Sequence, residues 1–262
     1  MITSTSNPKV KWAQSLNKKA KNRREEKLFN IEGNRLYLET PKELIQEVFV
    51  TEHVEKTLKS ELSGDNYQLV SENVLEAMCD TKTPQGILCV VKQPEYKLSD
   101  ILKQTNPLLL VLEDLQDPGN LGTIMRTAEG AGVTGIILTK GCVDMYNPKV
   151  VRATMGAIYR MPFVYLNTEE EFEELFSVLK EKNITTYGAA LQESKDYDLY
   201  SYIEGTAFLI GNEGNGLSKK ALDLCEKYVK IPMCGQLESL NAAVAAAILD
   251  YEAFRQRRRE KP

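Results

Sequence analysis

The sequence predicts an α/β protein in which helices cover a parallel sheet, preceded by a smaller α/β unit. From residue 108 onward, apolar runs alternate with helical patterns, which is typical of parallel strands joined by crossover helices. The apolar run that opens at Leu108 predicts a strand over 108–115 that is buried on both faces. Turns rich in glycine and asparagine follow several of these runs, and open α/β sheets bind small ligands at such strand ends.

The N-terminal part is predicted to be a small α/β unit that ends near residue 95. Residues 8–29 have the spacing of a basic amphipathic helix, and strands are predicted in the short apolar stretches 44–50, 67–70 and 86–91. Pro94 lies among charged residues and interrupts the pattern. We therefore predict one domain over 1–95, a linker over 96–106 and a larger domain over 107–262.

The larger domain is predicted to alternate strands and helices along its length. Its strands are expected at 108–115, 135–139, 163–166, 186–191, 206–210 and 228–231. Its helices are expected at 120–131, 148–158, 169–182, 218–225 and about 240–257. Strands that alternate with helices in this way predict a parallel sheet.

Composition and charge narrow the functional classes. With 262 residues, of which 42% are hydrophobic, the chain can bury a full core. A formal net charge of −4 argues against a uniformly basic nucleic-acid-binding surface and leaves only local basic patches. The five cysteines include no C-x-x-C pair, and no apolar window is long enough to span a bilayer. We expect a cytoplasmic protein without a membrane partner.

The residue types and motifs that the sequence lacks exclude further classes of protein. The only histidine, His53, lies in the N-terminal unit, which excludes histidine-based catalysis and a histidine-rich metal site in the larger domain. The sequence has no G-x-x-x-x-G-K-[ST] loop, and the glycines at 211, 214 and 216 do not have the G-x-G-x-x-G spacing. Kinases and ordinary dehydrogenases are therefore disfavoured.

Three turn segments carry the candidate functional residues, and each allows two interpretations. Asn120 is either a helix cap, with Arg126 a solvated helix residue, or both converge on a phosphate. Glu213 is either a solvated acid in a glycine-rich turn or a carboxylate that holds a ribose hydroxyl, an amine or a cation. Ser239 and Asn241 precede an alanine-rich helix, where both residue types are natural caps.

Taken together, the three motifs favour a functional interpretation. N-x-G-x-x-x-R at 120–126, G-x-E-x-x-G at 211–216 and I-P-M-x-G-x-x-x-S-L-N at 231–241 resemble those of the SpoU, or TrmH-like, family of RNA ribose 2′-O-methyltransferases. The resemblance covers 108–257, including 147–156, where Thr154 replaces the usual serine of an Arg-x-Ser-x-Gly segment. More loosely, residues 29–35 are similar to the opening of the substrate-binding domain of ribosomal-RNA members.

The resemblance implies a fold, a cofactor and an assembly. The implied fold is a parallel sheet whose C-terminal segment forms a deep trefoil knot, a rare exception to normal connectivity. The implied methyl donor is S-adenosylmethionine, bound in a bent form with no metal. The residues implied to bind it are Gly211, Ile231, Met233 and Leu240. The resemblance also implies a homodimer, an RNA substrate-binding domain over 1–95 and a methyltransferase domain over 107–262.

Catalytic roles follow from the same resemblance. Arg126 is the family's essential arginine; because a neutral guanidine is costly, we assign it to clamping the target phosphate rather than to general-base catalysis. Asn120 and Ser239 would orient this clamp and the ribose, and Asn241 would support the last turn of the knot. Glu213 would either hold Arg126 or order its loop.

The basic residues gain a predicted role as RNA contacts, since structured RNA is recognised largely through its phosphates and its shape. The candidates are Lys18, Lys19, Lys21, Arg23, Arg24 and Arg152. A solvated surface remains the alternative for each of them individually.

Competing functions remain open at this point. They are methylation of an RNA base, a non-catalytic RNA-binding ribosome-assembly factor and, more distantly, a nucleotide-dependent oxidoreductase. A substrate domain of about 95 residues favours ribosomal over transfer RNA, since compact transfer-RNA members of the family tend to lack it. The modified nucleotide is not encoded in any pattern we identify.

Overall fold

The structure is a computed structural model that describes residues 1–191, 194–237 and 239–259. The chain forms two compact units. The first unit comprises Met1–Glu95 together with Asp144–Tyr159, and the second comprises Tyr96–Val143 together with the chain from Arg160 onward. The segment from Asp144 to Tyr159 thus packs with the N-terminal residues. The assignment of functions to domains stays a prediction.

The elements alternate along the chain much as the patterns predict. The described helices are α1 Pro8–Lys18, α2 Ala20–Glu26, α3 Asn34–Glu39, α4 Glu52–Thr57, α5 Glu72–Met78, α6 Leu98–Ile101, α7 Pro118–Ala131, α8 Pro148–Thr154, α9 Glu169–Glu181, α10 Lys219–Leu224 and α11 Ala242–Arg259. The described strands are β1 Leu28–Glu32, β2 Ile45–Val50, β3 Tyr67–Leu69, β4 Ile87–Lys92, β5 Leu108–Leu112, β6 Gly135–Thr139, β7 Phe163–Leu166, β8 Thr185–Ala189, β9 Lys195–Asp196, β10 Thr206–Ile210 and β11 Lys227–Lys230.

In the first unit, the described strands form a mixed sheet in the order β1-β4-β2-β3. Strand β4 is antiparallel to β1 and to β2, and β3 is parallel to β2. The single basic helix predicted over 8–29 is wrong, because Lys19 is extended and separates α1 from α2. The guanidinium of Arg23 donates from Nη1 to the carbonyls of Leu16 at 2.6 Å and of Asn17 at 3.2 Å. This cation satisfies carbonyls at the end of α1 that a continuous helix would have used itself.

In the second unit, the described strands form a parallel sheet in the order β7-β6-β5-β10-β8-β11-β9. Every residue of the central strands β5 and β10 is buried. Burial on both faces explains why their sequences are apolar without alternation. The predicted α/β fold with a parallel sheet is confirmed, and the trefoil knot stays a prediction from the resemblance.

Two boundaries differ from the predictions for physical reasons. Strand β5 ends at Leu112 rather than at 115, because the polar residues that follow leave the sheet and Asp114 adopts a left-handed backbone with φ of 50°. Helix α8 ends at Thr154 because Met155 and Gly156 have φ values of 49° and 87°. Such left-handed residues end helices.

The predicted linker contributes to the core of the second unit. Residues Leu98–Ile101 form α6, and Ile101 and Leu102 are buried against Leu109 and Leu179. Across the described residues, no helix is long and apolar enough to cross a membrane.

Candidate active site

Three loops at the carboxyl edge of the second unit's sheet form the candidate site. They follow β5 at 113–117, β10 at 211–218 and β11 at 231–241. Strands β5 and β10 are adjacent and parallel, with Leu112 paired to Ile210, so the loops that follow them start side by side. The edge of an open parallel sheet beyond its strand ends is the usual ligand site of this architecture.

The loop at 211–218 closes on itself, and only glycine fits at position 211, where the loop begins. The Asn212 and Gly216 backbones exchange hydrogen bonds of 3.0 and 2.9 Å, and Asn212 Oδ1 accepts from the amides of Gly214 and Asn215. A Cβ on Gly211 would lie 2.1 Å from the carbonyl carbon of Gly216. Backbone therefore packs on backbone here, which excludes any larger residue at position 211.

A cavity of about 520 Å³ opens at this edge, lined by the loops after β10 and β11, by residues 189–191 and by α11, but by no described residue of the loop at 113–117. Gly211, Ile231, Met233 and Leu240, the predicted cofactor-binding residues, all line it. Further lining comes mainly from small and aliphatic side chains and from the backbone of the 211–218 loop. An apolar cavity of this size with backbone groups at its rim fits a nucleoside-containing ligand, whose base needs an apolar slot and whose ribose needs a few polar partners.

Glu213 lines the same cavity and fixes its own loop against the loop after β5. Its carboxylate accepts from the amides of Gln116 at 3.2 Å and Asp117 at 3.0 Å and from Asn120 Nδ2 at 3.0 Å. Burial by itself raises the pKa of Glu213, but the hydrogen bonds from Asn120 and from both amides outweigh it, so the pKa is lowered. Of the two predicted roles, the contacts are those of a carboxylate that orders its loop.

Asn120 joins all three loops through side-chain hydrogen bonds. Its Nδ2 donates to Glu213, and its Oδ1 accepts from Asn241 Nδ2 at 2.8 Å. Asn241 also caps α11, because its Oδ1 accepts from the amides of Ala243 and Val244. Asn241 is therefore a helix cap, as one interpretation predicts, and its support of the knot stays a prediction. The cap of α7 is Asp117, whose Oδ1 accepts from the Asn120 amide at 2.7 Å.

Arg126 is not joined to this network. It is exposed on α7, and among the described residues it makes no hydrogen bond or ion pair. The predicted contact between Glu213 and Arg126 is thus absent from the described part of the chain. Ser239 is also exposed, and it lines the cavity.

The sequence patterns missed several residues that hold the loops together. Asp114 lies just after β5, its carboxylate accepts from Thr139 Oγ1 at 2.8 Å, and its carbonyl accepts from Asn212 Nδ2 at 2.9 Å. Glu113 accepts two hydrogen bonds from Ser218. Polar residues that directly follow a buried strand were the available signal, although a solvated turn has the same pattern.

The predicted RNA contacts in the first unit divide into exposed and buried residues. Lys18, Lys19, Lys21 and Arg24 are exposed, and Lys21 lies 3.7 Å from Glu25. The prediction that Arg23 contacts RNA is wrong, because its side chain is only 4% exposed and is bound to Asp144 Oδ2 at 2.6 Å. A guanidinium enclosed in this way has no free surface for a phosphate.

Arg152 falls within residues 107–262, the predicted larger domain, but the structure places it elsewhere. It lies on α8, which belongs to the first unit rather than to the unit that contains the candidate site. Its Nη2 donates to Asp80 Oδ2 at 2.8 Å, and its side chain is partly exposed. Two residues on, Thr154 is fully buried, with its hydroxyl donating to the Val151 carbonyl at 2.7 Å.

Comparison with known proteins now identifies the family. Residues 107–251, more than half of the chain, match the model of the SpoU rRNA Methylase family. The chain belongs to this SpoU family. Residues 7–89 match a second model, described as an MRM3-like substrate binding domain.

Known members of the SpoU family are similar to this chain over almost its full length. It is 37% identical over 253 residues to the 23S rRNA (guanosine(2553)-2′-O)-methyltransferase RlmP of Bacillus subtilis, covering 95% of this chain and 97% of that protein. An rRNA methyltransferase from Sinorhizobium meliloti is 31% identical, with a TM-score of 0.85, covering 97% of this chain and 96% of the other.

A third relative has been solved with the predicted methyl donor. The SpoU methyltransferase AviRb from Streptomyces viridochromogenes, in complex with AdoMet, is 27% identical with a TM-score of 0.86, covering 96% of this chain and 98% of that one. The predicted family, the RNA methyltransferase class and the use of S-adenosylmethionine are confirmed by these comparisons.

Proposed function

We propose that this protein transfers the methyl group of S-adenosylmethionine to the ribose 2′-hydroxyl of a nucleotide in ribosomal RNA. The observation that carries the proposal is the hydrogen-bonded chain from Asn241 through Asn120 to Glu213, which ties three loops together beside a cavity of about 520 Å³ that Glu213 lines. The likeness to RlmP, which is named as a 23S rRNA 2′-O-methyltransferase, supports ribose of ribosomal RNA as the acceptor.

The cavity is proposed to supply binding and orientation. When bound, S-adenosylmethionine supplies an electrophilic methyl group on a sulfonium centre. Gly211, Ile231, Met233 and Leu240 would hold the donor through backbone groups and apolar contacts. The Ser239 hydroxyl, exposed at the cavity, would orient the ribose. Holding donor and acceptor in line accounts for much of the rate in such a transfer.

Arg126 would bind the phosphate next to the target ribose. Its guanidinium is exposed and makes no ion pair within the described residues. A planar guanidinium binds a phosphate through two parallel hydrogen bonds. Positive charge beside the 2′-hydroxyl also favours loss of its proton as the new bond forms.

We further propose that the protein acts as a homodimer, with Arg126 contributing to a site across the interface. Support comes from α11, where Val244 and Tyr251, spaced seven residues apart on one helical face, are each 47% exposed. Ile248 lies between them on that face and is half-buried. An apolar stripe exposed on a helix is typical of a surface that packs against another chain.

The first unit would dock the RNA through its exposed cations. Lys18, Lys19, Lys21 and Arg24 lie on or between α1 and α2, and phosphate contacts by such residues provide affinity without sequence specificity. In this proposal, residues 1–95 form the RNA substrate-binding domain and residues 107–262 the knotted methyltransferase domain. The activity would reside in the cytoplasm.

A methyl-transfer assay tests the proposal directly. Labelled S-adenosylmethionine is incubated with unmodified transcripts of large-subunit, small-subunit and transfer RNA, and the digested nucleosides are analysed. We expect a 2′-O-methylated nucleoside from ribosomal RNA, at least about a hundredfold less of it with Arg126→Ala, and an unchanged dissociation constant for the donor. Lys180→Ala, which removes an exposed cation from α9, is the matched control and should retain full activity.

The other outcomes distinguish the competing functions. Label on a base would identify a base methyltransferase. Donor binding without transfer to a naked transcript requires the assay to be repeated on ribosomal particles, and inactivity there as well would contradict the proposal. A protein that binds RNA but not the donor would be an RNA-binding factor.

A further inference from the structure

A carboxylate outside the cavity holds the far end of the cavity's main loop. Glu113 directly follows β5, and its Oε2 accepts from the Ser218 amide at 2.7 Å. Its Oε1 accepts from the Ser218 hydroxyl at 2.6 Å. The same hydroxyl accepts from the Ala221 amide at 3.0 Å and so caps α10. One side chain therefore fixes the residue at which the loop ends and the helix begins.

The loop is consequently held at both ends by residues of the neighbouring strand's loop. At its start, Asn212 donates to the carbonyl of Asp114, and Glu213 accepts from two amides and from Asn120. At its end, Ser218 is held by Glu113. Residues 211–217 of this loop line the cavity.

Glu113 does not line the cavity itself, and its hydrogen bonds connect it to the cavity through this loop. The described residues that line the cavity include Leu217 but neither Glu113 nor Ser218. Leu217 is buried against Ala207 and Leu209 in the core of the second unit. Holding Ser218 therefore also holds its neighbour Leu217 between the core and the cavity.

We propose that Glu113 is a positioning residue for methyl-donor binding, which it promotes by keeping the 211–218 loop in its binding shape before the donor arrives. This inference rests on the proposed function, because it assumes that the cavity binds S-adenosylmethionine. Hydrogen bonds to an ionised acceptor are stronger than neutral ones, and a pre-shaped loop need not lose its freedom on binding.

The expected effect follows from the population of the binding-competent loop. If loss of both hydrogen bonds leaves about 1–10% of molecules with the loop in its binding shape, the apparent dissociation constant rises about 10- to 100-fold. Once saturated with donor, the loop is closed again. The turnover number at saturating donor should therefore stay within about twofold of wild type.

Glu113→Ala, Glu113→Gln and Ser218→Ala test the inference in the full-length protein. Calorimetry measures the dissociation constant of S-adenosylmethionine, and the methyl-transfer assay separates its KM from kcat. Glu113→Ala should raise the dissociation constant and KM about 10- to 100-fold. Glutamine can accept from the Ser218 amide and donate to its hydroxyl, so Glu113→Gln should stay within about threefold of wild type.

Two further variants complete the design. Glu174→Ala removes an exposed carboxylate from α9 and should leave donor binding unchanged. Combining Ser218→Ala with Glu113→Ala should weaken binding little more than Glu113→Ala alone, because Glu113→Ala already removes the hydrogen bond that the Ser218 hydroxyl makes to Glu113. If Glu113→Ala does not fold, Ser218→Ala decides the question, because its dissociation constant for S-adenosylmethionine should rise about three- to tenfold.

The outcomes separate this inference from the proposed function. A wild-type protein that does not bind S-adenosylmethionine would overturn both. Donor binding by the wild type that is unchanged in Glu113→Ala, or in Ser218→Ala where that variant decides, would overturn the inference alone. A loss of kcat without a change in KM would also overturn it, since positioning of the donor loop predicts the reverse.

Discussion

Replacing Asn120 with aspartate should destabilise the protein most at neutral pH and least in mild acid. Asn120 Nδ2 donates to Glu213 Oε1 at 3.0 Å, while its Oδ1 accepts from Asn241 at 2.8 Å. In Asn120→Asp, the donor is replaced by a second carboxylate oxygen that faces Glu213. The variant loses an attractive contact and gains a repulsive one in the same place.

The contact geometry sets the magnitude. Two unit charges 4 Å apart interact by about 1 kcal/mol in water and by about 4 kcal/mol at an effective dielectric constant of 20. Because Glu213 is exposed, solvent screening favours the lower part of this range, about 1–2 kcal/mol. The lost hydrogen bond adds about 1 kcal/mol at such a site. At pH 7.5, the unfolding free energy should fall by about 2–3 kcal/mol and Tm by about 4–12 °C.

The pKa of Glu213 gives the pH dependence its sign. Burial by itself raises this pKa, but the hydrogen bonds from Asn120 and from the Asp117 and Gln116 amides lower it below its usual value of 4.5. The stabilisation by this carboxylate is therefore present above about pH 4.5, and it is lost only as the pH falls through the lowered pKa. In Asn120→Asp, two adjacent carboxylates share the site, so one takes up a proton at a higher pH. The deficit should shrink between pH 7.5 and pH 4.5.

Thermal unfolding followed by circular dichroism at pH 7.5, 6.0 and 4.5 measures the effect. Asn120→Ala is the matched control, because it removes the hydrogen bonds but adds no charge. Its deficit should be about 1 kcal/mol and nearly constant over this range. The reasoning is refuted if the deficit of Asn120→Asp is the same at pH 7.5 and 4.5, or is no larger than that of Asn120→Ala at pH 7.5.

Three further substitutions probe the other contacts. Arg23→Ala should lower the unfolding free energy, measured in urea, by about 3–5 kcal/mol, because it leaves the partly buried carboxylate of Asp144 without its partner. Arg24→Ala, at an exposed position, should change it by less than about 0.5 kcal/mol. Equal effects of the two changes would contradict the structural role of Arg23. Gly211→Ala should weaken S-adenosylmethionine binding more than about tenfold in calorimetry, because its Cβ would lie 2.1 Å from the backbone of Gly216. Gly214→Ala should bind the donor normally, because the atom nearest to its Cβ would be 3.5 Å away. Burial raises the pKa of Asp250 well above its usual value, so the wild type loses up to about 1.4 kcal/mol per pH unit as the pH rises above about 4 towards that pKa. Asp250→Asn should therefore gain stability relative to wild type as the pH rises from 5 to 8. A difference in urea midpoint between variant and wild type that is the same at pH 5 and pH 8 would disprove this.

Much of the second unit was predictable because most of its strands are short apolar runs, and the central ones are buried on both faces. Strands β6, β7 and β10 have the bounds expected from their apolar runs. Strand β9 has two residues, too few for any periodic signal, and it was missed. The break between α1 and α2 was also missed, because it depends on a contact of Arg23 with carbonyls earlier in the chain.

The candidate site was predictable as a set of residues but not as a set of contacts. The predicted cofactor-binding residues do line one cavity. Their assignment came from motifs that resemble a known family, since a glycine-rich turn alone has many uses. The supporting residues Glu113 and Asp114 were missed, because a polar residue after a strand is usually solvated.

The sequence by itself determined most of the elements, the burial of the central strands and the family. These are local properties, written in the spacing of apolar residues and in short motifs. Only the tertiary structure decided that Asn120 binds Glu213, 93 residues away, and Asn241, 121 residues away, while Arg23 is buried. Caps, turns and long-range hydrogen bonds use the same polar groups at similar energies, so the order of the strands in the sheet selects among them.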